Sequence, residues 1–123
     1  MIQPPQTILL VDDEPSVLAI VDTVLRRSGY SVIASSKPRD AMKHCGHGER
    51  IDLLLTDILM PDIEGTELAV LVRQYSPRTK VLYMTGHART LPDAEVLRKP
   101  FTPHELLQRV RRILEPNALA ASA

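Results

Sequence analysis

Apolar residues come along this chain in short unbroken runs, separated by longer stretches with helical spacing. Ile8-Leu9-Leu10-Val11 is a strand-length run ending at Asp12-Asp13. Pro15 stands where a helix can start, since its missing N–H costs nothing in a first turn. Val17, Ile20, Val21, Val24 and Leu25 follow at helical spacing as far as the stop at Gly29. Tyr30 to Ala34 reads as a second strand, and residues 38 to 46 as a short helix with Ala41, Met42 and Cys45 on one side. Ile51 to Leu55 reads as a third strand entering Thr56-Asp57. Beyond a loop with Met60-Pro61 and Gly65, a helix turns Leu68, Leu71, Val72 and Tyr75 inward and stops at Ser76-Pro77. Val81 to Met84 predicts a fourth strand before Thr85-Gly86, and Val96-Leu97 a short fifth before Lys99-Pro100. Thr102, Pro103 and Glu105 have the form of a capping box, and Leu106, Val110, Ile113 and Leu114 stripe the last helix up to Pro116.

Strands alternating with helices predict an α/β fold with a parallel sheet and right-handed crossovers. Apolar runs with little alternation predict strands covered on both faces. The expectation is a doubly wound five-stranded parallel sheet, with ligands bound at the carboxyl ends of its strands. The chain has 123 residues, 44% of them hydrophobic, which suits one domain over residues 7–115 with flexible ends at 1–6 and 116–123.

Composition narrows the function classes. No apolar run approaches the ~18 residues of a membrane helix, and the N-terminus lacks the features of a secretory signal. A single cysteine, Cys45, fits a reducing compartment, so a cytoplasmic location is expected. Lys and Arg number 15 against 15 Asp and Glu, without the basic excess of a nucleic-acid binder. Tyr30, Tyr75, Tyr83 and Phe101 are the only aromatics, too few for a base-stacking platform. Direct nucleic-acid binding and membrane association are therefore not expected.

Candidate chemistry collects at the strand ends. Asp12 and Asp13 follow strand one, Asp57 strand three, Thr85 strand four and Lys99 strand five. Taken singly, each has a bland reading. Acidic residues suit a helix N-terminus, Asp57 and Thr85-Gly86 suit turns, and an isolated lysine is ordinarily solvated. Their joint alignment on one side of the sheet argues for a site. Three crowded carboxylates repel one another, by about 3 kcal/mol per pair at ~5 Å and an effective dielectric near 20. Such a cluster calls for a cation, and oxygen-only ligands suit Mg2+. An ionised aspartate beside a metal and a lysine can attack phosphorus and form an acyl phosphate.

The series Asp12-Asp13, Asp57-x-x-Met60-Pro61-x-x-x-Gly65, Thr85-Gly86 and Lys99-Pro100-Phe101 resembles the receiver domain of bacterial two-component response regulators, over about residues 7 to 115. The resemblance implies a flavodoxin-like strand order 2-1-3-4-5 and a phosphorylation-dependent switch, not an enzyme. Asp57 would be the phosphoacceptor. Asp13 would bind Mg2+ directly, Asp12 largely through water, and the backbone carbonyl of Leu59 would complete the protein ligands. Lys99 would pair with Asp57 and then with a phosphoryl oxygen. Thr85 would hydrogen-bond the phosphoryl group on activation. The Lys99–Pro100 bond would be cis. Leu59 and His87 occupy variable positions flanking the phosphoryl group, where the family tunes hydrolysis. The implied partners are a sensor histidine kinase or phosphotransfer protein, an output domain or partner of unstated kind, and a second copy in a phosphorylation-dependent dimer.

One region departs from the family. Receivers carry a full fourth helix between the threonine and the lysine, whereas Gly86 to Arg98 must here also supply strand five and a turn at Leu91-Pro92-Asp93. That helix should be a single turn or missing. The family's aromatic switch residue, three before the lysine, is Val96 here, so the usual coupling from Thr85 to the surface should be absent. Two other functions are compatible with the residues. One is a phosphorylation-independent interaction module with a vestigial site. The other is an aspartate-nucleophile phosphohydrolase, whose D-x-D after strand one is not matched by Asp12-Asp13-Glu14. His44-Cys45-Gly46-His47 lacks a fourth ligand for zinc, and His104-Glu105 fails as H-E-x-x-H because the fifth position is Gln108. Arg109, Arg111 and Arg112 read as a solvated helix face in preference to a partner patch.

Overall fold

A computed structural model describes residues 4–87 and 91–116. Five strands and four helices follow in the order β1 (Thr7–Val11), α1 (Pro15–Arg27), β2 (Ser31–Ser35), α2 (Pro38–Cys45), β3 (Leu53–Asp57), α3 (Gly65–Tyr75), β4 (Lys80–Thr85), β5 (Glu95–Arg98) and α4 (Pro103–Leu114). The strands form one parallel sheet in the order β2-β1-β3-β4-β5. The expected fold class and strand order are thus observed.

The unbroken apolar runs have the cause inferred for them. Ile8 and Leu10 of β1 and Leu53 and Leu55 of β3 pack with Val21, Leu25, Leu106 and Val110 beneath α1 and α4. Their neighbours Leu9, Val11 and Leu54 pack with Ala41, Leu68 and Val72 beneath α2 and α3. Each central strand is buried on both faces, so Ile8 to Val11 and Leu53 to Leu55 are apolar at every position. Truncating one of these leucines to alanine costs about 2–5 kcal/mol.

Local chemistry sets the helix ends. After α1 the N–H of Gly29 donates to Arg26 O at 3.1 Å and that of Tyr30 to Leu25 O at 3.2 Å. This doubly bonded stop requires a left-handed residue, and Gly29 has φ +96. At α4, Thr102 caps the helix by accepting from the Glu105 N–H at 3.1 Å.

The third strand lies two residues later than the apolar run suggests, so Asp57 is its last residue. Between β4 and β5 no helix occurs among the described residues; residues 88–90 lie outside them. The Ala94 N–H donates to Leu91 O at 3.3 Å, with Pro92 second and Asp93 third at φ 61, the signature of a type II turn. Leu91, Ala94 and Val96 pack against the α2/α3-side core, and Val96 lies in register with Tyr83 on β4.

Candidate functional site

The parallel sheet brings the ends of β1, β3, β4 and β5 to one rim. Asp12, directly after β1, is fully buried. Its Oδ1 accepts from the Glu14 N–H at 2.9 Å and its Oδ2 from Lys99 Nζ at 2.8 Å. The bland helix-cap reading fails: the N-cap of α1 is Glu14, and no side chain caps it. Asp57, at the end of β3, is buried, and its Oδ2 accepts from Lys99 Nζ at 3.0 Å. Asp13 is open to solvent, yet Asp12, Asp13 and Asp57 each place a carboxylate oxygen within 4.8 Å of the others.

Lys99 is the hub. Its ammonium also lies 3.5 Å from Glu14 Oε1, and its backbone N–H donates to Thr85 O at 2.8 Å. The Lys99–Pro100 bond is cis. Thr85 is buried, and its Oγ1 accepts from the His87 N–H at 3.1 Å. The Ile58 N–H donates to Met84 O at 3.1 Å, fastening the exit of β3 to β4. Leu59 follows in the loop, 38% exposed.

Gly65 closes that loop. Its N–H donates to Ile58 O at 2.7 Å, and a Cβ there would lie 2.1 Å from the backbone oxygen of Asp57. The first residue of α3 therefore rests directly on the backbone that carries the carboxylate. Glycine is required by close approach, not by an unusual φ.

Burial raises the Asp57 carboxyl above the usual range, and the Asp12 charge adds to this, while the hydrogen bond from Lys99 opposes both. Burial pulls Lys99 down, but its hydrogen bonds to Asp12 and Asp57 outweigh this and leave it above the ordinary lysine value. One ammonium thus faces two buried carboxylates at hydrogen-bond distance, with Asp13 and Glu14 beside them. The cluster is short of positive charge and offers only oxygen donors. Asp12, Asp13 and Asp57 are the described residues able to hold an ion together, and their chemistry fits Mg2+.

The predicted residues therefore converge, with Thr85 one strand over and joined through the backbone. Two contacts were not foreseen. Lys99 bonds Asp12 as closely as Asp57, and Glu14 joins the same ammonium; such choices among neighbouring carboxylates carry no spacing signal. Cys45 is buried in the core, and burial raises its thiol, a poor state for ligation. Arg109 and Arg112 do not form a free face: both hold Glu95 Oε2 at 3.3 Å.

Comparison with known proteins agrees with this geometry. Residues 8–111 match the family of the response regulator receiver domain. The alkaline phosphatase synthesis transcriptional regulatory protein PhoP of Bacillus subtilis is 32% identical over 122 residues, covering 93% of this chain and 50% of the relative. Response regulator SaeR of Staphylococcus aureus is 27% identical, covering 87% and 50%. The chain spans about half the length of these curated relatives. Among solved structures, a response regulator receiver protein from Sinorhizobium medicae has a TM-score of 0.80 at 32% identity, covering 89% of this chain and 94% of the other. Response regulator TrrA from Thermotoga maritima, in complex with Mg(2+)-BeF, has a TM-score of 0.77 at 30% identity, covering 89% and 99%.

Proposed function

The chain belongs to the response regulator receiver family, and on that footing we propose that Asp57 is the phosphoacceptor of a signalling switch controlled by a histidine kinase or a phosphotransfer protein. The observation that carries this is Lys99 bonded at once to Asp12 and Asp57, at 2.8 and 3.0 Å, where the strand ends meet.

Phosphorylation-dependent signalling is the property of the family. In this chain, one Asp57 carboxylate oxygen attacks phosphorus, the phosphorus–nitrogen bond of the donor phosphohistidine breaks, and the imidazole leaves with the electron pair. Lys99 holds Asp57 beforehand and then follows a phosphoryl oxygen, while its bond to Asp12 keeps it at the rim. Asp13, Asp57 and the Leu59 carbonyl, with Asp12 largely through water, would hold Mg2+, which would supply charge neutralisation for the phosphoryl oxygens. Thr85 then donates its hydroxyl to the phosphoryl group. The acyl phosphate, adding up to about two negative charges, shifts an equilibrium between two conformations.

The output lies with a partner or an attached domain. With Val96 in place of an aromatic and no helix described between β4 and β5, the surfaces offered for reading are the loop after Asp57, α1 and α4. Among the described residues no helix is long and apolar enough to cross a membrane.

The test is incubation with acetyl phosphate or beryllofluoride, with and without Mg2+. One phosphoryl group located on Asp57, dependent on Mg2+ and lost in Asp57→Asn, supports the assignment. Unchanged modification of Asp57→Asn removes it. No modification and no Mg2+ binding favours a vestigial interaction module.

A further inference from the structure

We propose that Arg26 and Arg109 seal the two edges of the sheet against strand addition by a second copy of this chain. The edges are β2 and β5. Backbone polar groups alternate in direction along a strand, so each edge has residues facing its neighbour and residues facing outward. Ser31 N–H donates to Gln6 O at 2.9 Å and Ser35 O accepts from Asp12 N–H at 3.3 Å, so residues 31, 33 and 35 face β1 and Val32 and Ala34 face outward. Lys99 N–H donates to Thr85 O at 2.8 Å, so residues 95 and 97 face β4 and Val96 and Arg98 face outward.

On each edge an arginine reaches one outward carbonyl. Arg26 Nη2 of α1 donates to Val32 O at 2.7 Å. Arg109 Nη1 of α4 donates to Val96 O at 3.1 Å. Each guanidinium is also held by a carboxylate: Arg26 Nε by Asp22 Oδ1 at 2.6 Å, and Arg109 Nη1 by Glu95 Oε2 at 3.3 Å. The two arginines rise from the two helices that pack on the same face of the sheet. A strand added along the whole edge would compete with the arginine for that carbonyl, and would have to pass a fixed positive charge.

Unprotected edges are templates for pairing, and a charge placed on the edge is one way proteins blunt them. A second copy is the occupant the geometry prescribes. Every copy carries both edges, so an opened β2 or β5 finds a complementary row of donors and acceptors on its own kind.

The test is the mass in solution of the full chain, by sedimentation across a concentration series, for wild type, Arg26→Met/Arg109→Met and a charge-matched control. The control is Arg27→Met/Arg78→Met, which removes two exposed arginines. The edge variant should self-associate at least about tenfold more tightly than wild type, the weaker end of what one charge-assisted hydrogen bond contributes. The outward amides of Ala34 and Arg98 should become protected from hydrogen exchange on association. Equal association of the control would assign the effect to net charge and overturn the proposal. So would a folded edge variant with the wild-type mass at every concentration. If the double variant fails to fold, the single variants decide: each opens one edge and should associate through that edge alone, with protection confined to Ala34 or to Arg98.

Discussion

Lys99 donates to Asp12 across 2.8 Å, no farther than it stands from Asp57 at 3.0 Å. Asp12 therefore does two things that Asp13, one residue on and open to solvent, does not. It neutralises a nearly buried ammonium and accepts the Glu14 N–H. Asp12→Ala should destabilise the metal-free protein by about 1–3 kcal/mol, the cost of leaving buried partners unsatisfied. Asp13→Ala should leave metal-free stability level or raised, because it only relieves repulsion. Both should weaken Mg2+ binding. Urea melts in chelator and Mg2+ titrations separate the two; equal destabilisation by both would contradict this division.

Gly65→Ala should disturb the site without changing any of its polar side chains. The added Cβ meets the Asp57 backbone oxygen at 2.1 Å and Thr56 Cγ2 at 3.1 Å. Backbone cannot rotate away as a side chain can, so α3 or the end of β3 must move. A loss of about 1–3 kcal/mol is expected, with slower acceptance of phosphate from acetyl phosphate. A variant with wild-type stability and rate would show that the loop tolerates the shift.

Leu59→Asn should shorten the lifetime of the acyl phosphate several-fold. Leu59 is 38% exposed in the loop after Asp57 and has no group to position a water. An amide there can orient one toward phosphorus. The decay of phosphorylated protein, followed by mass spectrometry, measures this. A longer lifetime in the variant would reject the idea and turn attention to His87.

Tyr30 supplies a pH dependence far from the site. Burial, then its 2.8 Å hydrogen bond to Glu115, pushes the phenol up to about 12. An unfolded tyrosine ionises near 10. Below that value both states hold the proton, and the bond to Glu115 favours wild type over Tyr30→Phe, by about 1 kcal/mol. Between pH 10 and 12 the unfolded chain releases the proton and the folded chain keeps it, so wild type loses stability as pH rises. The difference between wild type and Tyr30→Phe should therefore be level up to pH 10, then shrink and reverse. A difference that stays constant through pH 12 would mean that the folded phenol ionises normally.

The pattern of residues by itself determined the architecture and which polar residues gather at one rim of the sheet. Strands buried on both faces carry unbroken apolar runs, which is why Ile8 to Val11 could be read as an inner strand. The first polar residues after such runs must then fall at the strand ends, which is how Asp12, Asp57, Thr85 and Lys99 were found together. The same absence of alternation hid where β3 begins and ends: Asp52 stands just before the strand although Ile51 is apolar, and Thr56 and Asp57 are polar yet still paired with β4. Only tertiary structure decided that Asp57 closes the ladder and that Lys99 divides itself between Asp12 and Asp57. It also decided that Gly65 rests on the Asp57 backbone, and that Arg109, read as part of a solvated face, binds Glu95 and the edge carbonyl of Val96. Each of these depends on distances between residues far apart in the chain. Periodicity reports which face a side chain takes, and carries nothing about the neighbour it meets there.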